Sequence, residues 1–210
     1  MQHCASSPAR GTTGVRTKPA IQIFTDDQWN AASLCDRWCV RDVLGHLVSV
    51  QVVPTWKFKL GVYSMKSFDR RADKIAREFG ARPPQSLIDQ YRSLVDSKRG
   101  APFVGLKAPL ADVLTHSVDI QYPLGLPDVH ADDTAEMVLT WLAAGLQGFT
   151  LKKATQCLRF EASDLAWHVG EGPDVRGSVS DLLVALNGRP AGFDALAGDG
   201  VTTLRSRVVG

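Results

Sequence analysis

A mainly helical fold, a four-helix bundle followed by a small α/β domain, is what the 210-residue sequence predicts. Two patterns carry that expectation. Up to about residue 155 the apolar residues recur at three- and four-residue spacing, which is the period of one helix face. Beyond it, CLRFEASD and LAWHVGEG alternate apolar and polar residues, which is the period of a strand. A hydrophobic content of 44% is enough to build a core in a chain of this size.

Each element has its own signal. Residues 1 to 20, rich in Ser, Thr, Gly, Pro and Ala, read as a disordered arm. Thr25 followed by Asp26, Asp27 and Gln28 reads as the capped start of a short helical turn carrying Trp29. From Val40 to about Gly61, Val40, Val43, Leu44, Leu47 and Val48 line one face of a helix that carries His46, and Pro54 predicts a kink or break near Val50 to Val53. Pro83 and Pro84 open an amphipathic helix through Leu87, Ile88, Tyr91, Leu94 and Val95, expected to stop near Gly100. Pro109 opens the next helix, which bears Asp112, His116 and Asp119 and ends at Pro123 and Gly125. Asp132, Asp133 or Thr134 caps a long helix reaching Leu151.

The bundle is therefore expected over residues 21 to 155 and the small α/β domain over 156 to 210. In the latter, a hairpin turns at Ser163 and Asp164, Ser178 caps a helix ending at Asn187 and Gly188, and Gly198, Asp199 and Gly200 mark a further turn.

Composition excludes several functions. The net charge of +2 comes from 24 basic and 22 acidic residues without a Lys/Arg block interleaved with aromatics, which argues against nucleic acid as a partner. The longest uncharged apolar stretch, Met137 to Leu151, is too short and too interrupted to span a bilayer, and the basic start lacks a secretory apolar core, so a cytoplasmic location without membrane association is expected. Cys4, Cys35, Cys39 and Cys157 form no CxxC pair and are expected as reduced thiols, with Cys35 and Cys39 as small, half-buried residues near a helix start. The glycines at 170 and 172 lack the context of a phosphate-binding loop.

The chemistry-bearing constellation is a separated trio. Asp112 and His116 lie four apart, hence on one face of a helix, and a second helix supplies His46. Two imidazoles and a carboxylate can hold one divalent ion and leave coordination positions open for water or a thiol. The same spacing also fits a hydrogen-bonded core histidine and a helix-surface pair, and the tight H-E-x-x-H signature is absent. Asp42 and Asp119 stand one turn from His46 and His116, placed to orient an imidazole or simply to meet solvent. Trp38 and Trp141 are expected in the core or at the bundle edge, and His130 and His168 in structural or solvated positions.

Together, WNAASLCDRWCVRDVLGHLVS, ADVLTHSVDIQYPLGLP and DLLVALNGRPAGFDALAGDGVTTLRSR resemble segments of mycothiol-dependent maleylpyruvate isomerase-like proteins, over roughly residues 25 to 207. The combination of W-x-V-R-D-x-x-x-H, then D/E-x-x-x-H-x-x-D, then PLG carries the resemblance. It implies a DinB-like four-helix bundle that holds a divalent ion, usually zinc, at His46, Asp112 and His116, and a small α/β domain similar to sterol-carrier-like modules. It implies mycothiol as cofactor, adding to a cis double bond and leaving after rotation, and gives Arg189 a catalytic role in reaching a substrate carboxylate.

The expected partners are a low-molecular-weight thiol and a small electrophile, and the expected activity is isomerisation or thiol S-transfer. A metal-binding regulatory module without turnover and a thiol-independent metal hydrolase are the alternatives. Three departures from the family pattern stand out. Asp112 replaces a frequent glutamate, which moves the carboxylate by roughly an ångström. Gln121 and Tyr122 stand where the family often has two basic residues, which disfavours a dicarboxylate substrate. The first long helix of the bundle is truncated or replaced by the arm at residues 1 to 20.

Overall fold

Helix α1 (Asp26–Asn30) opens the chain in a computed structural model that describes residues 24–36, 38–54, 56–57, 65–97, 107–127, 130–145 and 152–209. The arm expected at 1 to 20 lies outside the described residues, and with it the question of a truncated first helix. Thr25 caps α1 as its sequence predicts: its hydroxyl accepts from the Gln28 N–H and its own N–H donates to the Gln28 side chain.

Helix α2 (Val40–Val52) buries Val40, Val43, Leu44, Leu47 and Val48. It breaks at Val53, which is extended (φ −78°, ψ 128°) because the ring of Pro54 disfavours helical geometry in the residue before it. Helix α3 (Met65–Gly80) is not announced by the sequence pattern. Its apolar stripe, Phe68, Ala72, Ile75, Ala76 and Phe79, keeps helical spacing, but it lies among the charges of DRRADKIARE, and only Ile75, Ala76 and Phe79 are fully buried. Helices α2 and α3 cross with their backbones in close approach. A Cβ on Gly45 would lie 2.4 Å from the Ala76 carbonyl oxygen and 2.6 Å from the Gly80 nitrogen, so only glycine fits there.

Helix α4 (Pro84–Ser93) enters through its proline and buries Leu87, Ile88 and Tyr91, stopping about two turns short of the expected Gly100. Helix α5 (Lys107–Gln121) runs into the turn at Gly125, which takes a left-handed φ of +62°. Helix α6 (Asp132–Ala143) closes at Gly145, and the extension expected to Leu151 falls on residues 146–151, outside the described set. A single turn, α7 (Lys152–Thr155), leads into the sheet.

The expected hairpin is present as β1 (Arg159–Ala162) and β2 (His168–Val169), with Phe160 opposite Val169. A third strand, β3 (Asp174–Gly177), pairs parallel to β1 on its other side and gives the order β2-β1-β3. DVRG offers a single buried apolar residue, Val175, in a segment that begins with Asp174 and ends with Gly177, both poor strand formers, and so shows no readable alternation. Helix α8 (Val179–Leu186) follows its Ser178 cap. The short α9 (Pro190–Ala195) and the polar α10 (Val201–Val208), which buries Leu204, went unread because neither carries an apolar stripe long enough to show a period.

Among the described residues, two apolar clusters form the core. One joins α1 to α4 around Trp29, Val43, Leu44, Ile75 and Leu87, and receives Ile120 of α5. The other joins Leu114 and Val118 of α5 and Val138 and Leu142 of α6 to Phe160, Val175, Leu182 and Leu186. It runs without a break from one side of residue 155 to the other. Helix α5 is the element common to both clusters, and it carries Asp112, His116 and Asp119. No helix among the described residues is long and apolar enough to cross a membrane.

Candidate metal centre

The partition of α5 between the two clusters turns its polar positions toward α2. There His46 of α2 meets Asp112 and His116, one turn apart on α5. Asp112 stands between the imidazoles: its Oδ2 is 3.5 Å from His46 Nε2 and its Oδ1 is 3.5 Å from His116 Nε2. One donor atom from each of the three residues lies within 4.8 Å of the others, and the two rings stand edge to face with centroids 4.9 Å apart.

These separations discriminate between the two readings of the trio. At 3.5 Å neither imidazole reaches the carboxylate at normal hydrogen-bonding distance, about 2.7–3.2 Å. Neighbouring donors around a tetrahedral ion with bonds of about 2.0–2.1 Å lie roughly 3.3 Å apart; each imidazole stands 3.5 Å from its own Asp112 oxygen, and one donor from each residue lies within 4.8 Å of the others. Two nitrogens and a carboxylate oxygen are also the donor types of catalytic zinc sites. The residues thus fit a divalent ion in donor type and spacing.

His116 is held from behind. Its Nδ1–H donates to Asp119 Oδ2 at 2.8 Å, which fixes the ring with Nε2 toward Asp112. Asp119, only 1% exposed, also accepts from Arg189, through Nε to Oδ1 at 3.2 Å and Nη2 to Oδ2 at 3.1 Å, and from the Cys35 thiol at 3.0 Å. The Leu34 N–H donates to its backbone carbonyl at 3.0 Å. Arg189 Nη1 donates to the Asn187 carbonyl at 2.7 Å, and Nη2 lies 3.5 Å from Cys35 Sγ. Arg189, placed by the sequence after the C-terminus of α8, thus joins the site through Asp119.

The other orienting carboxylate is elsewhere. Asp42 accepts from the Cys39 N–H and thiol, both at 3.2 Å, and faces Arg77 at 3.5 Å, so it closes the start of α2 instead of orienting His46. His46 Nδ1 is buried without a hydrogen-bond partner.

The charges are strongly coupled. Burial alone would depress the His116 imidazole, but hydrogen bonds to Asp119 and Cys35 and the Asp112 charge outweigh it and push its pKa up to about 10. Burial would raise the Asp119 carboxyl, yet the His116 hydrogen bond and charge, with Arg189, hold it at about 2. For Asp112, burial again raises, and the close approach of His46 with the charges of both imidazoles brings the carboxyl below its ordinary range. Burial, then the Asp112 charge, push the nearby Tyr91 phenol up to about 12, so it stays neutral.

Two residues that the sequence read as structural line the centre. Cys35, with a neighbouring His116 Nδ1 at 3.5 Å, forms a second group of candidate donors with His116 and Asp119. Its partners lie 81 and 84 positions away, so no local spacing could have disclosed it. Trp38 donates its indole N–H to Asp73 at 2.7 Å and sets its ring 5.3 Å from that of His46 and 6.4 Å from that of His116. Trp141 is in the core, as expected. Gln121 is buried, and Tyr122 donates to Asp181 of α8 at 3.1 Å. His130 and His168 lie in a loop and on β2, outside both donor groups.

Residues 16–54 match the mycothiol maleylpyruvate isomerase N-terminal domain. That stretch takes in Cys35, Trp38 and His46. No curated protein matches the chain by sequence. Among solved structures, the chain is similar to the mycothiol-dependent maleylpyruvate isomerase, at 14% identity and a TM-score of 0.45. It is also similar to a mutant of that isomerase in which a histidine is replaced by alanine, at 15% identity and a TM-score of 0.48. In both cases 84% of each chain is covered.

Proposed function

We propose that the protein is a divalent-metal-dependent enzyme that uses mycothiol to isomerise, or to transfer sulfur to, a small electrophile, with His46, Asp112 and His116 holding the ion. The observation that carries this reading is the convergence of three donors from two helices at a spacing that suits a shared ion better than hydrogen bonds among themselves. The family match over residues 16–54 supports the choice of thiol. Zinc suits the donor set, and when bound it supplies a Lewis acid with open positions at which a thiol loses its proton.

The chain's own residues provide the rest. Asp119 holds the His116 ring with Nε2 toward the centre. The Asp112 carboxylate, ionised across the neutral range, offsets the charge of a bound cation. Trp38 places an apolar wall beside both rings, restricting water and offering a face to a substrate. Its tether to Asp73 of α3 fixes that wall.

The test has two parts. Elemental analysis of the native protein is expected to give close to one equivalent of zinc, lost in His116→Ala. Metal-loaded protein is then offered mycothiol with a panel of small electrophiles, and isomerisation or thiol consumption is followed. A metal-free wild type, or the absence of thiol binding and turnover under all conditions, refutes the proposal.

A further inference from the structure

Arg189 enters the centre by a route that its sequence context does not disclose. Its guanidinium is spent on the protein itself: Nε and Nη2 grip both oxygens of Asp119, and Nη1 donates to the Asn187 carbonyl. Asp119 is 1% exposed, so an Arg189 that left to clamp a substrate carboxylate would take the Nε–H from Oδ1 and leave a buried carboxylate held by His116 and Cys35 on its other oxygen alone, which is costly. The same Asp119 oxygen that Nη2 binds accepts the Nδ1–H of His116. The backbone around Arg189 is also anchored, because its N–H donates to the Val184 carbonyl at 3.0 Å, fixing the residue to the end of α8. The result is a continuous chain of contacts from α8 through Arg189 and Asp119 to an imidazole of the proposed metal centre.

We infer that Arg189 is a positioning residue that acts on the ion site through Asp119 and His116, so that the C-terminal segment sets metal affinity. The inference rests on the metal reading above. Bidentate contact from a rigid fork fixes the carboxylate plane, and the carboxylate in turn fixes the ring angle of His116. Lysine, a point charge on a flexible stem, can restore charge but not the two-point grip. Because the path runs through Asp119, removing Arg189 has no further effect once Asp119 no longer carries the grip.

The test uses Arg189→Ala, Arg189→Lys, Asp119→Asn and the double variant Asp119→Asn/Arg189→Ala, with Arg205→Ala, which faces Asp194 at the surface, as control. Zinc affinity is measured by competition with a chromophoric chelator, the cobalt(II) absorption spectrum reports ligand geometry, and circular dichroism confirms folding. Loss of such an outer partner weakens binding by about 10–100-fold, which is the fall expected for Arg189→Ala, with a shifted cobalt spectrum and partial rescue by Arg189→Lys. Arg205→Ala is expected to bind as the wild type, and the double variant to bind no more weakly than Asp119→Asn.

Wild-type affinity and spectrum in Arg189→Ala overturn the inference, as does an equal loss from Arg189→Ala in both Asp119 backgrounds. If Arg189→Ala does not fold, Arg189→Lys carries the same comparison. Should the wild type bind no ion, the metal reading fails by itself. The nitrogen resonances of His116 in the metal-free protein then decide the positioning role: displaced in Arg189→Ala they support it, and unmoved they overturn it.

Discussion

Replacing Gly45 by alanine tests the central packing and the proposed site in one experiment. The new Cβ would lie 2.4 Å from the Ala76 carbonyl oxygen, 2.6 Å from the Gly80 nitrogen and 3.1 Å from the Gly80 Cα, all backbone atoms that cannot rotate away. Reaching an ordinary contact of 3.4 Å requires α3 to withdraw from α2 by about an ångström. Overpacking of this kind costs about 1–3 kcal/mol, against which alanine's better helix propensity returns about 1 kcal/mol. Contacts of 2.4 and 2.6 Å with fixed backbone belong at the upper end of that range, so the net loss is about 2 kcal/mol, or a fall in Tm of about 4–8 °C for a chain of this length.

His46 is the adjacent residue, so the share of the displacement that α2 takes moves Nε2 relative to Asp112 on α5 and weakens zinc binding. Gly125→Ala is the counterpart. There nothing lies within 4 Å of the new Cβ, but the backbone φ is +62°, so about 1–2 kcal/mol is lost through conformation while metal affinity is kept. Thermal melts and chelator competition on the two variants give the comparison. A Gly45→Ala protein that melts at or above the wild-type temperature with unchanged zinc affinity refutes the close crossing of α2 and α3.

Three more outcomes are expected. Because the His116 imidazole holds its proton up to about pH 10 in the metal-free protein, an ion bound there must displace it. Zinc affinity should therefore rise about tenfold per pH unit between roughly pH 7 and 8, with proton release seen by calorimetry in two buffers, and a pH-independent affinity contradicts the assigned protonation. Phe160→Ala, which empties a fully buried position on β1, should cost about 3–5 kcal/mol in urea unfolding, and a loss below 1 kcal/mol would mean that β1 does not seal the second cluster. Trp38→Phe keeps a ring beside the imidazoles but removes the indole N–H donated to Asp73, with an expected loss of about 1 kcal/mol and retained metal binding. Loss of zinc from that variant would show that Trp38 does more than wall the site.

The site was more legible than the fold around it. Asp112 and His116 are readable because helical spacing alone places them on one face, and Asp119 because it follows His116 by three residues. Their meeting with His46 depends on a helix pair that no local pattern specifies; the residue types suggest the trio and the motif resemblance strengthens it. Cys35 and the grip of Arg189 on Asp119 arise from contacts 84 and 70 positions apart, for which sequence spacing carries no signal. Asp42 shows the opposite error, since a position one turn before a histidine serves equally well to cap a helix, and here it does.

Among the elements announced by caps or prolines, α1, α4 and α8 start where their side chains require, whereas α5 already includes Lys107 ahead of Pro109 and α6 is capped by Ala131 without a side-chain hydrogen bond. Helix α3 was missed because its stripe is narrow and set in dense charge. Strand β3 was missed because it depends on β1 for its pairing and has little strand character of its own.

The apolar cluster that runs uninterrupted past residue 155 limits how this protein can be recombined. Leu114, Val138 and Leu142 meet Phe160, Leu182 and Leu186 within one core, so neither segment presents a finished surface to the other. A terminal segment borrowed from a relative would have to reproduce the volumes of those side chains as well as return an arginine to the Asp119 carboxylate. Natural exchange of this segment as a cassette is thereby disfavoured, and drift on one side of the seam must be answered on the other.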